Sequence, residues 1–292
     1  MMMNTRHVCM IDRFSTTFAT VGPEPSGNRL RARCLRLGIG FSHLEGDRRE
    51  KGMKKIIDAL ARLNPSSISL IINPGRLHTL ETIRRKGVPG ELFDSQCRIE
   101  ASHFLKEPEH YTWEHIPFDS DSRGSAATGH ELLIYYPAST LSELQRQLSR
   151  ETSLRETSIY LKPLVEHSKL SGNEEALLEL EPDAITFWVS SNGRLREFLH
   201  RRTRNSQETE FFSIHELSHK RPQPLRTAKV TGTLSNNRKL LERIANQARC
   251  RLEPFQPLAG LVMDTRTKNI CRNGSGLKAV AAALVARQDS PA

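Results

Sequence analysis

A chain of 292 residues, 37% hydrophobic and 26% charged, is long enough for two globular domains of ordinary size. Its formal net charge of +10 permits contact with anionic lipid or nucleic acid but identifies neither. Five scattered cysteines (Cys9, Cys34, Cys97, Cys250 and Cys271) contain no CxxC pair, which argues against a zinc ribbon or disulfide frame and for a reducing compartment. Residues 1–6 lack the apolar core of a signal peptide, and no apolar run nears the ~18–20 residues that span a bilayer. The expected location is the cytoplasm.

In chain order, residues 7–11 and 16–21 read as strands joined by Asp12-Arg13-Phe14-Ser15, and 29–36 alternates as a third. Residues 51–63 form an amphipathic helix with Met53, Ile56, Ile57, Leu60 and Leu63 on one stripe, stopped by Asn64-Pro65. A buried strand over 68–72 is broken by Asn73-Pro74-Gly75. A helix follows over 91–105, then a strand over 111–117, and the Ser/Gly/Asp-rich stretch 119–129 reads as a loop. Beyond it come a strand over 132–136, a helix carrying Leu141, Leu144 and Leu148, a strand over 158–161, and a helix with Pro163 in its first turn. Strands over 176–180, 185–190 and 195–200 make a meander, turning at Ser191-Asn192-Gly193. Residues 207–219 are expected to be helical.

The last sixty residues carry the clearest pattern. A strand ends at Val230-Thr231-Gly232, a polar turn leads into a helix to Cys250, and a second strand runs over 251–255. An alanine-rich helix then opens at Gly274-Ser275-Gly276. A strand that stops at glycine and turns into a helix is how α/β folds bring backbone N–H groups up to a ligand.

The two meanders match each other. Phe18-Ala19-Thr20-Val21, a Ser-Gly-Asn turn and Arg29-Leu30-Arg31 parallel Phe187-Trp188-Val189, a Ser-Asn-Gly turn and Arg194-Leu195-Arg196. Each is followed by a buried strand and a helix, so an internal duplication is expected.

Duplicated α/β halves that each open on a β meander around an acidic turn resemble the actin-like ATPase superfamily. Within it the chain is similar to the type IV pilus assembly PilM family, with its MshI, HofM and GspL cytoplasmic-domain relatives. Ile71-Ile72-Asn73-Pro74-Gly75 through Ile83 matches that family's strand, Pro-Gly turn and second strand. Arg98-Ile99-Glu100-Ala101 with Phe104-Leu105 and Pro108 matches its Glu-Ala segment, and residues 274–285 resemble its second crossing helix.

The resemblance implies an actin-like (ribonuclease H-like) duplicated two-domain α/β fold, with mixed sheets flanked by helices. The first domain would span 1–170, with a subdomain inserted at about 42–130; the second, shortened, would span 171–292. It also implies that Asp12, Ser15, Thr16, Glu179, Gly232 and Thr233 stand at the nucleotide turns.

The nucleotide motifs are degenerate. Phe14 stands where the family has a glycine that lets backbone approach phosphate, and Ala19 where it has a lysine. Glu179-Leu180-Glu181 replaces the second Asp-Ile-Gly turn and would aim a carboxylate at an anion, an unfavourable term of about a few kcal/mol. Residues 201–229 are too few for the subdomain that walls the adenine pocket. No cofactor is therefore expected, and Asp12, Ser15 and Glu179 read more plainly as parts of solvated turns than as ligand contacts. The expected role is a cytoplasmic scaffold of a pilus or type II secretion assembly, peripheral to the inner membrane, with little or no ATPase activity. Its partner would be the cytoplasmic tail of a single-pass inner-membrane protein of the PilN type, held in a groove between residues 68 and 105. The alternative is a working ATP switch in which Asp12 holds Mg²⁺ through water.

Other constellations are weaker. His215-Glu216-Leu217-Ser218-His219 matches the zinc-hydrolase string H-E-x-x-H, but Lys220-Arg221-Pro222 follows at once. His103, His110 and His115 are irregularly spaced and read as surface histidines. The basic run 200–204, with Lys220, Arg221 and Arg226, reads first as a solvated loop, then as contact with an anionic membrane. Nucleic acid ranks behind both, because no aromatic residues interleave the charges. No Walker A loop, G-x-S-x-G elbow or G-x-G-x-x-G fingerprint occurs.

Overall fold

The computed structural model describes residues 5–25, 29–44, 48–85, 87–119, 128–218, 224–272 and 274–288. Two mixed sheets form its frame. The first begins with an antiparallel meander of β1 (Arg6–Ile11), β2 (Thr16–Pro23) and β3 (Leu30–Leu37), with Cys9 opposite Phe18 and Ala19 opposite Cys34. Helix α1 (Arg49–Leu63) buries Met53, Ile56, Ala59 and Leu60 and ends at Asn64 in the left-handed conformation. It returns the chain to β4 (Ser67–Ile72), parallel to β1. A parallel strand needs such a crossover, since no tight turn can reverse the chain twice.

An antiparallel excursion follows, made of β5 (His78–Arg85), β6 (Tyr111–Phe118) and β7 (Thr128–Pro137). Helix α2 (Gly90–Phe104) covers one face, packing Phe93, Cys97 and Ala101 against Leu133 and Tyr135. Helix α3 (Ala138–Glu151) then leads into β8 (Ser153–Ile159), parallel to β4. This strand starts five residues before the expected 158. It lies at the sheet edge, where its first residues stay largely exposed and polar, so they carry no hydrophobic signal.

The second half repeats the first. After helix α4 (Leu161–Ser171) come β9 (Glu175–Glu181), β10 (Ala184–Ser191) and β11 (Arg194–Arg202), again an antiparallel meander. Helix α5 (Ser206–Ser218) leads to β12 (Thr227–Thr231), parallel to β9, and α6 (Arg238–Ala248) to β13 (Arg251–Pro254), parallel to β12. The shared spatial orders β3-β2-β1-β4-β8 and β11-β10-β9-β12-β13 display the duplication strand for strand. The excursion β6-β7-β5 extends the second sheet through one parallel pair, Leu195 with Phe118.

One strand and one α-helix have no counterpart in the sequence-based expectation. They are the two-residue strand β14 (Val262–Met263), beside β3, and helix α7 (Thr265–Cys271), which Asp264 caps by accepting from the Thr267 N–H. The expected loop at 119–129 lies mostly outside the described residues, and β7 already begins at Thr128. The basic run also differs from a loop: His200, Arg201 and Arg202 close β11, and Lys220 and Arg221 lie outside the described residues.

Helix α8 (Ser275–Gln288) packs on β1 and β2 and against α4, which in turn touches β10 and β11. The α4–α8 pair is thus the layer between the two sheets. Ala279, Ala281, Ala282 and Ala283 are buried there, small enough for close approach. Among the described residues no helix is long and apolar enough to cross a membrane.

Candidate functional site

β1 and β9 hold the same place in the two halves, first strand of each meander, and both run out towards one cleft. The first delivers Asp12 from the turn after Ile11; the second delivers Glu179 and Glu181 from its last residues. The N-terminus of α8 enters between them. Crevices at the carboxyl ends of central strands are where open α/β sheets gather polar groups.

Lys278, in the first turn of α8, is wholly buried and joins the two halves. Its Nζ donates to Asp12 Oδ1 at 3.0 Å and to Glu179 Oε1 at 2.6 Å. The remaining oxygen of Glu179, Oε2, accepts from the Tyr160 hydroxyl at 2.6 Å. Asn73 Nδ2 adds a donor to Asp12 Oδ1 at 3.2 Å, and the Lys278 ammonium lies 5.1 Å from the centre of the Tyr160 ring. Thr186 Oγ1 continues the network to His200 Nδ1 at 3.0 Å. Burial works against the charge on Lys278, but the facing carboxylates Asp12, Glu179 and Glu181 outweigh it and hold the ammonium above the ordinary lysine range. Burial, with the Glu179 charge, pushes the Tyr160 phenol well up.

A second link spans the cleft mouth. Arg13 pairs with Asp183 in the turn between β9 and β10, and its guanidinium stands 4.9 Å over the half-exposed Phe14 ring. Glu181 accepts from the Thr233 N–H at 3.2 Å and its hydroxyl at 2.5 Å. Burial first, then the charges of Glu179 and Asp12, push the Glu181 carboxyl up to about 7 against the pull of Lys278 and Thr233.

Of the six residues assigned to the nucleotide turns, Asp12, Ser15, Glu179 and Thr233 line this cleft together. Thr16 is the buried first residue of β2 and donates to the Ile39 carbonyl at 2.7 Å, and Gly232 shapes the turn after β12. The solvated-turn expectation for Asp12, Ser15 and Glu179 is wrong, because they are only 8%, 4% and 2% exposed. Asp12 Oδ1 and both Glu179 oxygens are met instead by donors inside the protein. Lys278 and Tyr160 escaped the sequence analysis. Lys278 did carry a signal, as the lone charge in the otherwise small and apolar run from Ser275 to Val285.

The residues present do not fit Mg²⁺ and a nucleotide. The point between Asp12 and Glu179 where a divalent ion would sit already holds an ammonium. Without a metal, a polyphosphate would face Asp12, Glu179 and Glu181 directly. The cavity measures about 50 Å³, room for a few waters, whereas sites for drug-sized ligands start near ~300 Å³.

In the zinc-hydrolase string, His215 and Glu216 sit near the end of α5 with Nδ1 3.0 Å from Oε1, and His219 lies outside the described residues. His110 sits beside Glu107, and His115 beside Glu131. Among the described residues no group of three or more His, Cys, Asp and Glu side chains could hold a metal ion.

No family model and no curated protein matches this chain. Among solved structures it is similar to a chain of the PilM-PilN type IV pilus biogenesis complex, with a TM-score of 0.69, 12% identity, and 98% of this chain and 99% of that one covered. A Bacteroides thetaiotaomicron protein with actin-like ATPase fold and unknown function follows at a TM-score of 0.57 and 11% identity, with 95% of each chain covered. The cytoplasmic domain of EpsL, an inner membrane component of the Vibrio cholerae type II secretion system, has a TM-score of 0.53 and 8% identity, with 99% and 97% covered. The chain has the actin-like ATPase fold, in a form similar to PilM.

Proposed function

We propose that this protein is a cytoplasmic scaffold of a bacterial type IV pilus or type II secretion assembly, with little or no ATPase activity. It would bind the cytoplasmic tail of an inner-membrane partner of the PilN type and lie at the inner membrane through that partner. The observation that carries the proposal is the Asp12–Lys278–Glu179 contact inside a fold similar over almost its whole length to a chain of a PilM-PilN type IV pilus biogenesis complex. An ammonium in the metal position leaves the fold and removes the nucleotide chemistry. On this view Asp12, Ser15, Thr16, Glu179, Gly232 and Thr233 are inherited nucleotide turns. The division into an N-terminal domain over 1–170, with its insertion at about 42–130, and a shortened domain over 171–292 belongs to the same proposal.

The tail groove is proposed within residues 68–105. That stretch holds β5, an edge strand of its sheet, and α2. Ile83, Leu92 and Ile99 are more than half exposed there. An edge strand beside apolar side chains suits capture of an extended peptide by backbone bonds and pockets.

Fluorescence anisotropy with a labelled peptide of the partner tail tests the proposal. Saturable binding without nucleotide is expected; no binding, or binding only with Mg-ATP, sinks it. Thermal unfolding with millimolar Mg-ATP tests the ATP-switch alternative, since a ligand at 100 times its Kd adds ~2.7 kcal/mol of stability. No shift is expected.

A further inference from the structure

At the end of the first sheet away from the cleft, Arg6 opens β1 and is only 4% exposed. Its Nε is buried with no hydrogen-bond partner. A guanidinium keeps its charge when buried, so it needs a counter-charge or hydrogen-bond acceptors. Among the described residues it has neither. The charged groups that act on it are Arg155 and Arg287, both positive, and no acid is paired with any of the three.

The topology brings these three arginines together. β1 and β4 run parallel with Val8 beside Ser69, so two residues back Arg6 stands level with Ser67, on the same face of the sheet. Arg155 in β8 reaches that serine, its Nε donating to Ser67 Oγ at 2.8 Å. Helix α8 starts beside Asp12, at the far end of β1, and packs along β1 and β2. Its 14 residues rise ~21 Å and the six of β1 span ~20 Å, which brings Arg287, in its last turn, back to the Arg6 end. The last carbonyls of α8 together carry about half a negative charge, well short of three cations.

Arg287 also lines a groove of about 420 Å³ whose other walls are Leu30, Leu170, Leu258 and Leu284. That volume is in the range of small-molecule sites, ~300–1,000 Å³. An inorganic anion would leave the leucines empty, and an uncharged lipid would leave Arg6 unpaired. We propose that the Arg6–Arg155–Arg287 cluster and the adjoining leucine groove bind one amphipathic anion, with a carboxylate or phosphate head on the arginines and an alkyl chain against the leucines. The ligand is taken up singly, because Arg6 lies too deep for the flat surface of a bilayer to reach.

Isothermal titration calorimetry of the full chain with decanoate and with decyl phosphate, each below its micelle concentration, tests this. At least one of them is expected to bind as a single molecule per chain, and the tighter of the two identifies the head group. Inorganic phosphate and uncharged decanol should each bind roughly tenfold more weakly or worse. Arg6→Met, which keeps the buried stem and removes the charge, should abolish uptake. Arg287→Gln, at the half-buried end of α8, should weaken it roughly tenfold, and decides alone if Arg6→Met fails to fold. Leu258→Asn should weaken the decyl ligand and leave inorganic phosphate unchanged. The proposal is overturned if neither amphiphile binds, if inorganic phosphate or decanol binds as tightly as they do, or if Arg287→Gln binds like the native protein. It is equally overturned if the chain sediments with phosphatidylglycerol vesicles but takes up neither monomer, since the arginines would then serve a membrane surface.

Discussion

Gly274 lies against the backbone of Gly232, so that a Cβ placed on Gly274 would stand 2.5 Å from the Gly232 nitrogen and 3.0 Å from its oxygen. The turn after β12 and the start of α8 therefore meet backbone to backbone. That approach brings Lys278, four residues on, into the cleft.

Gly274 has φ +77°, and the two Gly232 atoms its Cβ would strike belong to main chain that cannot swing aside. Gly274→Ala is expected to cost about 2–4 kcal/mol, from backbone strain and overpacking together. Urea unfolding measures it; a loss below about 0.5 kcal/mol would mean that the two turns do not touch.

Tyr160→Phe removes the hydroxyl that donates to Glu179 Oε2 and leaves that buried oxygen without a partner. A hydrogen bond to a buried charged group contributes ~1.5–3 kcal/mol, and a loss in that range is expected. A variant as stable as the native protein would show that the Tyr160–Glu179 bond contributes nothing.

Burial, with the neighbouring carboxylates, pushes the Glu181 carboxyl up to about 7 from an ordinary 4.5. A raised carboxyl means that folding favours its protonated form. The cost of ionisation is absent below pH ~4.5, grows between 4.5 and 7, and is constant above that. Glu181→Gln should therefore be more stable than the native protein at pH 8, by up to about 2–3 kcal/mol, and equal to it near pH 4. The reverse order at pH 8 would contradict the environment described for Glu181.

Glu175 behaves oppositely. Burial pushes its carboxyl up, but contacts from His167 and Lys229 outweigh this and hold it down at about 2. Lys229 Nζ lies 2.5 Å from Oε1, tying β12 to the start of β9. Because the folded value is depressed, the stabilisation is present above pH ~4.5 and lost as pH falls from there towards 2. Glu175→Gln should cost on the order of 2–3 kcal/mol at pH 7, with the difference from the native protein closing in acid. An unchanged gap at pH 3 would refute the ion pair as its source.

Most elements were legible in the sequence because their side chains carry the period of their packing. Met53, Ile56 and Leu60 mark α1, and the continuous apolar run at β4 marks a strand buried on both faces. Short or exposed pieces were not. β8 opens on polar edge residues, β14 is two residues long, and α7 offers only a cap at Asp264. The repeated meanders disclosed the duplicated architecture, because turn chemistry and alternation are local.

The candidate site divides along the same line. Asp12, Ser15, Glu179 and Thr233 could be named together only through the family resemblance, which places all four at its nucleotide turns. Their burial could not, because the residues that cover these turns come from distant parts of the chain. Lys278 is 266 residues from Asp12 and 99 from Glu179. Nothing in the chain near Lys278 announces a carboxylate partner. The sequence by itself determined the repeated meanders and the alanine-rich run of the last helix, and it puts Phe14 and Glu181 where the resemblance expects the glycines of nucleotide turns. Only the tertiary structure decided what fills the gap, because an ion pair depends on where helices bring charges together in space. Here the Gly232–Gly274 approach carries the ammonium of Lys278 to the two acids.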